Sequence, residues 1–141
     1  MVDRQDDCEP IGDVFCNEIV TRLSPWSVTD TTARLSAIAA ARGMKLFAEI
    51  DHSGEAEAKG LHLRDTTLVI FGDPETETPI MEAAPEAGLD LPMRVLVWSE
   101  AHQTKVSYVA PAALAARYGL GSQLGSKLEI IGVVVDNVID G

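Results

Sequence analysis

Asp51 and His52 stand side by side in Ile50-Asp51-His52-Ser53-Gly54, and their types suit chemistry better than any other adjacent pair in the chain. A carboxylate near an imidazole can orient the ring and raise its basicity, as a general acid-base pair requires. The bland reading competes with this one: Asp51 caps a short helix and His52 bonds main chain at the corner. Neighbours on an extended backbone point to opposite faces, so adjacency alone does not bring the two groups together. A ligand role for His52 draws on its place just before a helix start, whose free amides attract an anionic or polar group.

Other combinations carry less. His62 and His102 could join His52 around a metal, but their spacing matches no recognised ligand motif, and no metal or cofactor is expected. Cys8 and Cys16 have neither CxxC spacing nor a histidine close in sequence. Phe71-Gly72-Asp73-Pro74 is only superficially a phosphate loop; Gly72 reads as a tight turn or a close backbone approach that excludes a Cβ, with Asp73 a lesser candidate carboxylate. The run from Gly119 to Lys127 fits neither the dinucleotide fingerprint nor the P-loop. No Gly-x-Ser-x-Gly elbow occurs. Methionines and aromatics read as core, some adapting to line an apolar pocket.

Positioning these groups requires a fold, and hydrophobic period outlines it. Residues 1–12 are charged and aperiodic and read as a mobile acidic arm; residues 13–141 read as one domain. Val14 to Leu23 alternates as a strand does. Ser27-Val-Thr-Asp30 is a partial capping box opening a helix through Leu35, Ile38 and Ala39, which Gly43 stops. Met44 to Ile50 is a strand with Met44, Leu46, Ala48 and Ile50 on one face, and 54–59 a short helix. Thr66 to Phe71 is a strand, Thr78 to Ala84 one or two helical turns, and Met93–Trp98 with Lys105–Val109 a hairpin across Ser99 to Thr104. Pro111 opens a helix. Leu124, Leu128, Ile131, Val135 and Val138 step by helical spacing, which outweighs the strand propensity of their β-branched members.

The net charge of -11, from 22 acidic and 11 basic residues, disfavours nucleic acid and anionic membranes as partners. No apolar run reaches the length of a membrane span, and the polar start is unlike a signal peptide, so a cytoplasmic location is expected.

Ile50-Asp51-His52, Ala58-Lys-Gly-Leu-His-Leu63, Ile70-Phe-Gly-Asp-Pro74, Thr78-Pro-Ile-Met81, Leu89-Asp-Leu-Pro-Met-Arg94 and Val106-Ser-Tyr108, in that order, resemble the signature blocks of the domain-of-unknown-function 302 family. The resemblance covers roughly residues 24 to 120. It implies an α+β fold of two layers, an antiparallel sheet backed by helices, with a TATA-binding-protein-like topology. It also implies a homodimer. It brings no catalytic residues, and Asp73 departs from the Asn more usual there. The fold comparison does not carry DNA binding with it.

Three functions follow as expectations. The leading one is a homodimeric binding or accessory module with an apolar cleft near His52, Phe71, Met81 and Tyr108, Asp51 beside it, taking a small apolar or anionic ligand. The second is a small enzyme using Asp51 and His52 as an acid-base pair. The third is an interaction protein whose acidic surface docks a basic partner.

Overall fold

Runs rich in valine, isoleucine and leucine favour extended backbone, because branched side chains pack well on a pleated surface. In the computed structural model, which describes residues 18–141, five such runs form one antiparallel sheet. The strands are β1 (Ile19–Ser24), β2 (Lys45–Asp51), β3 (Thr66–Gly72), β4 (Met93–Glu100) and β5 (Gln103–Val109), in the order β1-β5-β4-β3-β2. The expected acidic arm, Cys8 and Cys16 lie outside the described residues.

Alternation divides the strands into two faces. Val69, Phe71, Met93, Val95, Val97 and Val106 point to one side and are buried. Two helices cover them: α1 (Val28–Ala41), through Leu35 and Ala39, and α6 (Ile130–Asp140), through Ile131, Val134, Val135 and Val138. Ser27 caps α1 by accepting from the Asp30 amide at 3.0 Å, and Gly43 ends it at a φ of 78°. The C-terminal segment is helical as its spacing predicts. It is built in three pieces: α5 (Ser122–Gly125), a 3-10 turn (Ser126–Glu129) and α6. Arg22 on β1 pairs with Asp136 on α6. Trp26 and Arg34 both donate to the carbonyl of Val138 at 3.3 Å, satisfying an acceptor in the last turn of α6.

A second, smaller cluster sits at the β3–β4 end of the sheet. There α3 (Pro74–Ala83), the 3-10 turn Pro85–Leu89 and α4 (Pro111–Arg117) pack Ile80, Ala87, Leu91 and Leu114 with Leu128. Asp90 ties this cluster to α4, accepting from Arg117 at 2.9 Å and from the Tyr118 hydroxyl.

Four sequence expectations change. The hairpin turn is only Ala101-His102, both at positive φ, so β4 and β5 each run longer than expected. Leu46 and Ala48 do not share a face, because a bulge at Phe47 shifts the register of β2 between them. The third helix starts at Pro74, since Asp73 caps it and Pro74 suits its first turn. Gly72 does not have a positive φ; it is small for a different reason, described below.

Candidate functional site

Asp51 ends β2 and caps α2 (His52–Ala58). One carboxylate oxygen accepts from the Gly54 amide at 2.9 Å and from the Ser53 hydroxyl at 2.7 Å. Those two bonds, the hydroxyl first, hold its pKa below the ordinary carboxylate value. Ser53 also accepts from the Thr66 amide at 3.1 Å, which pins the corner to β3. The His52 side chain is exposed at the first position of α2.

The remaining candidates lie elsewhere. Asp51 is the register partner of Thr67, whereas Phe71 pairs with Leu46 four residues further along β3, roughly 13 Å away. Phe71 is wholly buried in the core between sheet and helices. Tyr108 faces the same core from β5, and burial, then Asp136, raises its hydroxyl pKa. Met81 belongs to the second cluster. The five candidates are therefore spread over an exposed corner, the core and a peripheral cluster. None of the five borders the groove of about 500 Å³ lined by Ser27, Arg64, Glu100 and His102. Among the described residues no group of three or more His, Cys, Asp or Glu side chains is placed to hold a metal ion.

Two features were missed by sequence reasoning. The first is Glu77 in α3, which is 3% exposed. Its carboxyl lies over Gly72, and a Cβ built on Gly72 would overlap its oxygens. The Met93 amide donates to it, while Oε2 is buried without a partner. Burial first, and the nearby Asp73 carboxylate after it, push its pKa up to about 7 against the opposing pull of that amide. Nothing in Glu75-Thr-Glu77-Thr announces which acidic residue turns inward; only the empty space above Gly72 does.

The second is the face of the sheet turned away from α1 and α6. One register row crosses all five strands as Ile50, Leu68, Leu96, Ser107 and Thr21. A second runs Thr66, Trp98, Lys105 and Leu23. These apolar side chains remain partly exposed, and the edge strand shows Ile19 and Leu23 at 46% and 54%. In the middle, Ser107 bonds both Thr21 and the Trp98 indole at 2.9 Å, so the polar groups there are satisfied. Glu100 at the rim is neutralised by Lys105 at 2.8 Å and Arg64 at 3.6 Å.

The family model described as domain of unknown function DUF302 matches residues 20–137. This chain belongs to that family. A crystal structure of an uncharacterized conserved DUF302 protein from Bacillus stearothermophilus shares the fold, with a TM-score of 0.74 over 87% of this chain and 96% of that one, at 17% identity. Two of the blocks that carry the resemblance fall where the sheet turns corners: Asp51-His52 at β2–α2 and Gly72-Asp73 at β3–α3. Proteins named fluoride-specific ion channel FluC 1, from Brucella suis and Brucella abortus, are each 37% identical over 113 residues. The match covers 79% of this chain but only 44% and 42% of those proteins, so the chain spans less than half the length of the curated relatives it matches. No helix among the described residues is long and apolar enough to cross a membrane.

Proposed function

We propose that this DUF302 domain is a homodimeric accessory module, and that its two copies meet through the uncovered face of the sheet. The observation that carries the reading is the apolar row Ile50, Leu68, Leu96 with Trp98 beside it and, beyond Ser107 and Lys105 of β5, Ile19 and Leu23 on the edge strand, left at least partly exposed on a chain otherwise rich in acid. Exposed apolar surface gathered on one face marks interaction sites. Strands of six to eight residues, five abreast, make a face of roughly 24 by 20 Å. That is about 480 Å² per partner, near the lower bound of roughly 1,000 Å² in total for a specific interface.

Charge favours a second copy as the occupant. The chain carries -11 overall, yet neither central row holds a carboxylate. Two copies can thus approach face to face without stacking carboxylates, and the one cation in those rows, Lys105, is paired with Glu100. The accessory half of the reading draws on the relatives. In proteins named as fluoride-specific ion channels, a segment like this one accounts for less than half the chain. A domain joined to a longer protein in this way suits a supporting role beside a partner better than self-contained catalysis.

Light scattering on the intact chain through a micromolar dilution series tests the dimer. Twice the chain mass of 15.1 kDa is the expected result. A single-chain mass at every concentration contradicts it.

A further inference from the structure

Among the described residues Glu77 is the only charged side chain buried in the fold. It joins three elements: it belongs to α3, it fills the space above Gly72 at the end of β3, and it accepts the Met93 amide at the start of β4. We propose that Glu77 is a proton-operated latch: as a neutral acid it holds α3 against the β3–β4 end of the sheet, and its ionisation loosens the segment from residue 74 to 92.

The surroundings favour the neutral form. An ionised carboxylate enclosed with one amide donor and an unpartnered oxygen pays a desolvation cost that a neutral acid largely escapes. The packed elements offer no compensating cation. β3 contributes Gly72, and β4 contributes a main-chain amide. Lys45, the register partner of Gly72 on β2, extends its ammonium over the Phe47 ring, 5.0 Å from the centroid. Arg94 donates to the Leu89 carbonyl at 3.2 Å. The charged group that does act on Glu77 is Asp73, and it repels a second negative charge. Asp73 itself is anchored, accepting from the Glu75 amide at 3.0 Å and the Thr76 hydroxyl at 3.2 Å.

The sign follows from linkage. The closed latch titrates near 7 and a released glutamate at its ordinary 4.5, so the closed state binds the proton more tightly. Closure is therefore strongest below 4.5, weakens as pH rises towards 7, and changes little above that. Opening must also release what else holds the segment: the cluster of Ile80, Ala87 and Leu91 with Leu114 and Leu128, and the bonds of Asp90 to Arg117 and Tyr118.

Hydrogen exchange of residues 74–92, corrected for the intrinsic pH dependence of amide exchange, tests the latch. Between pH 5.5 and 8 the wild-type segment should lose protection by on the order of tenfold. The central strands should not change, and E77Q should show no such loss. A flat wild-type response, or the same response in E77Q, overturns the proposal. Should E77Q fail to fold, carbon-detected titration of the wild-type carboxyl decides. A midpoint near 7 that coincides with the loss of protection supports the latch; a midpoint near 4.5, or one separate from the exchange change, contradicts it.

Discussion

Val95 and Leu96 are neighbours on β4, yet they occupy two different environments. Val95 is fully buried under α1 and α6, in a core that two helices close over the three middle strands, β3, β4 and β5. Leu96 points the other way and stays partly exposed, in a row that is apolar on β2, β3 and β4 and turns polar at Ser107 and Thr21. The two faces differ most in coverage, and less in composition. One face is covered within the chain, and the other is the one proposed to meet a second copy. The same contrast recurs on β3, where Val69 and Phe71 are core while Leu68 and Ile70 are not.

Charge introduced on each face probes this contrast, and the largest effect belongs to the closed one. Val95→Glu places a carboxylate in a core without a partner and should cost at least about 4 kcal/mol, enough to unfold much of the chain in thermal or urea denaturation. Val135→Asp, on the α6 side of the same core, should behave alike; survival of either with a near-native melting point would mean that the core opens to water there.

Smaller effects come from the sheet end. Glu77→Gln should raise the melting temperature by roughly 3–8 °C at pH 8 and change it little at pH 5. The direction is set by a pKa raised to about 7: the wild type loses stability as pH climbs from 4.5 to 7, and glutamine has no proton to lose. Equal shifts at both pH values would show that the substitution acts through packing alone. Gly72→Ala should cost about 1–2 kcal/mol by evicting the Glu77 carboxyl. That loss should largely vanish in a Glu77→Ala background; additive losses in this double-mutant cycle would separate the two residues.

The smallest effect is expected at the corner that first drew notice in the sequence. His52→Ala removes an exposed side chain and should change stability by less than about 0.5 kcal/mol. A ligand role would show instead in native mass spectrometry, as an adduct present in the wild type and missing from the variant.

Much of this fold was legible because helix and strand differ in period. The spacing of Leu124, Leu128, Ile131, Val135 and Val138 predicts a helix against β-branched propensity, and packing against the sheet lets the spacing prevail. Helix starts are legible where a side chain answers free amides, as Ser27 does; Asp73 does the same for α3, although the sequence reading begins that helix only at Thr78. The bulge at Phe47 carries no sequence mark, so the facing of Leu46 was misread. The runs Val95-Leu96-Val97-Trp98 and Leu68-Val69-Ile70-Phe71 did hold a signal that went unused. Strands apolar at every position have two faces to cover. Candidate site residues were chosen by type, and type does not report depth. Phe71 went to the core, Asp51 to a cap, and the one enclosed carboxyl among the described residues belonged to Glu77, which local sequence does not distinguish from Glu75.

Sedimentation velocity of the wild type beside Leu96→Glu addresses the central claim most directly. The two chains should give identical circular dichroism, since Leu96 lies outside the closed core. The wild type should sediment as a dimer and the variant as a monomer. A variant that folds and remains dimeric, or a wild type that is already monomeric, would contradict the assignment of the uncovered face to a second copy.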